Sequence, residues 1–148
     1  MKKAQNLQIV NKKARFDYHF DKTMVAGIQL VGTEVKAIRK SHLGFADAYC
    51  YFAGNELMLK NINIAAPDLV WAHQPLRERK LLLKRHELRK LKKELITGYT
   101  IVPTRVFSTE RGLIKVEIAL AKGKKDYDKR ETIKERDSKR YQNTNYDA

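Results

Sequence analysis

Metal sites, acid–base pairs and phosphate loops announce themselves by residue type and spacing, and this chain offers few such groupings. His19, His42, His73 and His86 fall in no H-x-x-x-H frame, and the single cysteine, Cys50, has no second thiol for a C-x-x-C pair. Each histidine is read as a surface or partner-facing side chain rather than a metal ligand. Glu34 and Asp47 are carboxylates that acid–base chemistry would need side by side, and nothing in their spacing joins them. Gly123-Lys124-Lys125 lacks the upstream glycine and the following Ser or Thr of a phosphate-cradling loop. No catalytic constellation is present, so an enzyme is not expected, and neither a metal, a cofactor nor a small-molecule substrate is called for.

What remains is binding. In 148 residues, 31 Lys and Arg stand against 17 Asp and Glu, a formal net charge of +14. That excess makes a polyanion the default partner, nucleic acid ahead of a membrane surface. A hydrophobic content of 43% is ordinary for a folded domain, so the charge decorates a packed body. Tyr18, Tyr49, Tyr51, Trp71 and Tyr127 are rings on which a base could stack. For Tyr49 and Tyr51, packing under a helix is an equal reading, whereas Tyr127 lies among charges with nothing apolar beside it. No apolar run follows Lys2 and Lys3, so neither a signal peptide nor a transmembrane helix is expected. A lone cysteine suits a reducing cytoplasm.

The elements that must position these residues read as follows. Residues 1–10 form a mobile end leading into an edge strand at Leu7, Ile9 and Val10, and Asn11 to Arg15 is a basic linker. Phe16 to Val31 is strand, bent near Asp21-Lys22-Thr23, covered on both faces from Met24 on and kinked or bulged at Gly27. Thr33 caps a short helix to Lys40, with Glu34 in its first turn. Ala46 to Ala53 alternates, with Ala48, Cys50 and Phe52 on one face, and a turn at Gly54 leads to a strand from Glu56 to Ile64 bulged near Lys60 and Asn61. Arg77 to Ile96 is the longest helix, its inward stripe Leu81, Leu88, Leu91 and Leu95. Tyr99 to Ser108 and Leu113 to Ala121 are strands, the first interrupted at Pro103. Many short antiparallel strands with peripheral helices predict a mainly β fold, a small closed antiparallel barrel of the oligonucleotide-binding-like kind.

From Ala121 to Arg140, Lys and Arg outnumber acids and Ile133 is the only aliphatic residue after Ala121. Such a segment buries no apolar face, so it reads as a tail that is disordered when free. Asp128 followed by Glu131 is a capping-box start, and an isolated helix of about 12 residues is marginal in water. The tail is therefore expected to become helical against something negative.

The motifs Asn11-Lys12-Lys13-Ala14-Arg15, Ala26-Gly27-Ile28, Gly32-Thr33-Glu34-Val35-Lys36, Arg79-Lys80-Leu81-Leu82-Leu83, Ala121-Lys122-Gly123-Lys124-Lys125, Asp128-Lys129-Arg130 and Ile133-Lys134-Glu135-Arg136 follow in order. Together they resemble the bacterial SmpB (small protein B) family, partners of transfer-messenger RNA. The resemblance runs from about Asn11 to Arg136. It implies binding to the tRNA-like part of that RNA and its delivery to stalled ribosomes for trans-translation. The protein would stand in for an anticodon stem, with its tail in the small-subunit decoding centre and the mRNA channel. The RNA face it implies, joined to the basic residues of the two helices, is Asn11, Lys12, Arg15, Glu34, Lys36, Arg39, Arg79, Lys80, Leu82, Lys84 and Arg85. The ribosome-directed tail is Lys122, Lys124, Lys125, Tyr127, Asp128, Lys129, Arg130, Lys134 and Arg136. Val25 stands where the family often has Glu, and residues 141–148 lack the usual basic ending.

The expected division is an end over residues 1–10, an RNA-binding barrel over 11–120 and a tail over 121–148 that is helical on the ribosome. The rival is a general ribosome-associated structured-RNA-binding protein or RNA chaperone. A peripheral membrane role for the basic helix is set aside, because its narrow apolar stripe is needed to cover the barrel.

Overall fold

A computed structural model describes residues 7–124 and residue 130. Its elements are, in order, β1 (Gln8–Val10), α1 (Lys12–Asp17), β2 (Tyr18–Ile28), α2 (Gly32–Arg39), β3 (Leu43–Ala53), β4 (Glu56–Ile64), β5 (Arg79–Leu82), α3 (Arg85–Glu94), β6 (Tyr99–Ser108) and β7 (Ile114–Gly123). The strands pair in the order β1-β6-β3-β4-β5-β2-β7, and β7 pairs again with β6. Every pairing is antiparallel. The sheet is thus a closed barrel, as the strand pattern predicts, with β1 as an extra strand on the far half of β6. Closure removes the open edges that would otherwise invite pairing with other chains.

Inward positions fill the barrel: Leu57, Leu59, Ile62 and Ile64 from β4, Ile101 and Val106 from β6, and Val116, Ile118 and Leu120 from β7. Ala37 and Ile38 of α2 and Leu91 of α3 join the same core. Cys50 is buried there as a small apolar residue, its thiol pushed up by desolvation. Each fully buried Leu or Ile contributes about 1.5–3 kcal/mol of transfer free energy, so this cluster is what holds the barrel shut.

Several elements differ from the sequence expectation. The Arg77–Ile96 stretch is two elements. Arg79 and Leu81 are buried while Lys80 and Leu82 point outward, a period-two pattern, and β5 pairs with β4 on one side and β2 on the other. Leu81 and Leu88 are spaced as on one helical face, but the barrel cannot close between β4 and β2 without this strand. Only Arg85–Glu94 is helix.

The basic linker is also helical. Asn11 caps α1 by accepting the Ala14 N–H at 3.2 Å, and the helix continues through Phe16 and Asp17. Ala14 packs on Val102, Ala119 and Ala121, with Tyr18 and Phe20 beside them, forming a second small cluster outside the barrel. The alanines at 119 and 121 leave room for that helix.

β2 runs unbroken through Asp21, where the register slips between Phe20 and Lys22, a bulge in place of the expected bend. Its outer face is open, with Val25 47% exposed. Gly27 is neither bulged nor at positive φ; a Cβ there would lie 3.2 Å from the Leu82 Cβ, so the glycine makes room for Leu82. The bulge expected near Asn61 is present: Asn61 adopts φ 67° while β3 shifts register between Phe45 and Tyr49. A register shift likewise falls between Pro103 and Arg105. No helix among the described residues is long and apolar enough to cross a membrane.

Candidate nucleic-acid interface

The α2 corner is built on Glu34. Its carboxylate is fully buried and receives Arg79 Nε on one oxygen and Arg77 Nη2 on the other, both at 2.5 Å. The oxygen that takes Arg77, Oε1, also accepts the Val31 N–H at 3.0 Å, so Glu34 caps α2 from inside and Val31, not Thr33, is the N-cap position. Burial alone would raise the carboxyl pKa; the hydrogen bonds from Arg77, Val31 and Arg79 outweigh it and hold Glu34 below the ordinary carboxylate value. Arg79, equally buried, donates further to the Ile62 carbonyl at 2.9 Å and to those of Gln74 and Pro75 at 3.4 and 3.2 Å. One guanidinium therefore ties α2, β4 and the loop between β4 and β5 together. Removing either partner would strand a buried charge.

That loop is fixed at a second point. His73, only 8% exposed, approaches Thr33 Oγ1 at 2.7 Å through Nδ1 and the Ile64 carbonyl at 2.9 Å through Nε2. The carbonyl can only accept, so Nε2 carries the proton and Nδ1 takes the Thr33 hydroxyl in the neutral ring. This corrects the reading of His73 as a surface group and of Thr33 as a cap.

The residues expected on the RNA face thus divide. Asn11, Glu34 and Arg79 are buried. Asn11 donates Nδ2 to the Pro103 carbonyl at 2.8 Å, and its own N–H goes to Thr104. It plugs the step on β6 between β1 and β3, so it is a structural residue. Lys12, Arg15, Lys36, Arg39, Lys84 and Arg85 are exposed. Arg39 donates to the Gly112 carbonyl at 2.9 Å, steadying the β6–β7 turn, and Lys80 pairs with Glu56 at 3.0 Å. Leu82 is 50% exposed above Gly27, an apolar contact point on the outer wall.

Helix α3 turns Leu88 and Leu91 toward the core and lays Arg85, Arg89 and Lys92 along a cleft floored by Phe52 and Leu83. Lys92 Nζ stands 5.7 Å from the Phe52 centroid and donates to the Gly54 carbonyl. Glu87 accepts the Lys84 N–H, so the helix start is capped from its own third position.

Of the candidate rings, Tyr18 packs in the α1 cluster. Tyr51 donates to Glu78 at 2.6 Å, and its ring lies 6.4 Å from that of Tyr49, both residues being half-buried. Trp71 is 75% exposed. Lys122 and Gly123 are the last residues of β7, paired with His19 and Tyr18 of β2, and the Lys124 N–H reaches the Asp17 carbonyl at 2.7 Å. Contact with the barrel therefore continues past Ala121 to Lys124, beside α1. Arg130 is exposed, while Lys125, Tyr127, Asp128, Lys129, Lys134 and Arg136 lie outside the described residues.

The family profile described as "SmpB protein" matches residues 8–148. The chain belongs to the SmpB family. An SsrA-binding protein of Cytophaga hutchinsonii is 52% identical over 142 residues, covering 93% of this chain and 92% of the relative. One of Phocaeicola vulgatus is 50% identical over 143 residues, covering 93% and 94%. A solved chain described under "tmRNA-SmpB: a journey to the center of the bacterial ribosome" superposes with a TM-score of 0.67 at 40% identity, covering 85% of this chain and 94% of that one. The SmpB barrel is thus the fold on which the basic surface is mounted, and the buried Glu34–Arg79 pair belongs to its frame. The family resemblance had placed both residues on the RNA face. No local signal shows that residues so far apart in the chain meet.

Proposed function

We propose that this chain binds transfer-messenger RNA and delivers it to stalled ribosomes for trans-translation, standing in for an anticodon stem with its tail in the decoding centre and mRNA channel. The observation that carries this reading is membership of the SmpB family over nearly the whole chain, joined to the 40% identical structural match. It acts by binding rather than catalysis, in the cytoplasm. Exposed Lys12, Arg15, Lys36, Arg39, Lys84 and Arg85, together with Lys80 and Leu82, contact RNA, mainly through phosphates and shape. Asn11, Glu34 and Arg79 position that surface. The barrel domain binds transfer-messenger RNA. Lys122, Lys124, Lys125, Tyr127, Asp128, Lys129, Arg130, Lys134 and Arg136 serve on the ribosome, where the tail becomes helical against ribosomal RNA phosphates.

Recovery of RNA bound to the tagged protein from cells tests this. One abundant, stable RNA identified as transfer-messenger RNA is the expected result. A broad mixture of structured RNAs would instead make the chain a general RNA chaperone.

A further inference from the structure

The loop between β4 and β5 carries a feature that the family reading does not account for. Trp71 is 75% exposed and Val70 fully so, although both are large and apolar. Exposure of this kind marks a contact surface when it is held in place and flanked consistently. Here both conditions hold. The loop is pinned at its far side by His73 on Thr33 and Ile64, by the Ile64 N–H on the Pro75 carbonyl at 2.9 Å, and by Arg79 on Gln74 and Pro75. Within it, the Ala72 N–H closes on the Leu69 carbonyl at 3.1 Å and the Leu69 N–H on Pro67 at 2.8 Å. The ring is presented from a framed loop.

Two clefts adjoin this loop, one of about 550 Å³ and one of about 390 Å³, and Thr33, Lys36 and Trp71 line both. These three residues form the ridge between them. Arg77 lines the first cleft, and Lys40 and His42 line the second; neither lining includes a carboxylate. Arg77 and Arg79 share the single carboxylate of Glu34, so the corner keeps a net positive charge even where it is ion-paired. Lys36 has no carboxylate partner among the described residues.

We infer that the Trp71 ridge is a nucleotide-stacking site, which takes an unpaired base of the bound RNA on the indole and its flanking phosphates on Lys36 and Arg77. This rests on the RNA-binding reading above and adds to it a residue and a mode of contact. A π-face beside fixed cations and without acids fits a nucleotide, because the ring recognises any base while the cations take the backbone. A protein partner would need an apolar or acidic complement. The cationic rim disfavours the first, and the pinned ring at a cleft edge is better suited to a flat base than to a broad protein face.

Trp71 is the single tryptophan in the chain, so its own fluorescence reports the contact. The test is titration of the full-length protein with the tRNA-like domain of transfer-messenger RNA, following tryptophan emission and gel-shift affinity together for wild type, Trp71→Phe and Trp71→Ala. Melting temperature is the control, and it should not move because the ring is mostly outside. The expected result is strong quenching of wild-type emission on binding, an affinity loss of about tenfold for Trp71→Ala and a much smaller loss for Trp71→Phe, in line with stacking on a single ring. Unchanged emission with intact binding, and Trp71→Ala binding as well as wild type, would overturn the stacking site and leave the RNA reading standing. Emission that ignores the RNA but responds to ribosomal proteins freed of RNA would assign the ridge to a protein partner and overturn the inference equally. Absence of binding by gel shift in the wild type would remove both this inference and the reading on which it rests.

Discussion

Glu34 is one carboxylate between two guanidiniums, and its replacement shows how much the α2 corner depends on it. Glu34→Gln leaves Arg79 buried without its counter-charge, an expected loss of about 3–5 kcal/mol in urea unfolding at neutral pH. The pH dependence has a definite sign. The folded-state pKa is lowered below the ordinary value of 4.5, so the stabilisation from ionised Glu34 is fully present above that value and disappears as pH falls through the lower folded pKa. The gap between wild type and Glu34→Gln should therefore narrow in acid. A gap that stays constant on acidification would show that the charge is not what holds this corner.

Leu82 behaves differently. Half exposed above Gly27, it should lose under about 1 kcal/mol of stability on truncation to Ala, while affinity for transfer-messenger RNA falls measurably. Equal loss of both, judged by thermal melting beside gel shift, would make Leu82 a packing residue only. At this scale the sequence was a partial guide. It turned Lys36 outward on its helix by type and position, whereas Leu82 was singled out by the family resemblance alone. It could not separate them from buried Glu34, Arg79 and Asn11, whose partners lie far along the chain.

At the scale of elements, legibility follows the length and cleanness of the period. β4 and β6 are readable to the residue, β4 from an alternation whose parity breaks near Asn61 and β6 from its flanking turns, with Pro103 itself marking the irregularity. Arg79–Leu82 was not readable, because four residues fit either period and its strand character comes from two neighbours that only the closed barrel supplies. Helix α1 was hidden because its buried stripe is a single alanine and its cap a polar residue in a basic run. Helix α3 carries exposed Arg85 and Arg89 on the rim of the Phe52–Leu83 cleft. If they neutralise phosphates, the double variant Arg85→Glu/Arg89→Glu should weaken RNA binding and flatten the plot of log affinity against log salt by roughly one to two units of slope. An unchanged slope would place α3 away from the RNA. Melting should barely change, since Leu91 and the core face of the helix are untouched.

For the whole molecule, the barrel is closed by β7, which pairs with β2 and β6 along its length, and Lys124 is held beside it by the Asp17 carbonyl. A cut after Ala121 removes Lys122 and Gly123 from their pairings with Tyr18, His19 and Tyr99, and should lower the melting temperature. A cut after Lys124 spares every described strand pair and should not. This second truncation tests the central claim most directly, with gel-shift affinity for transfer-messenger RNA and peptide-tagging yield on stalled ribosomes measured on the same preparation. The account predicts wild-type affinity and little or no tagging, the barrel holding the RNA and the tail acting only on the ribosome. Normal tagging by the shortened chain, or loss of RNA binding and tagging in equal measure, would contradict it.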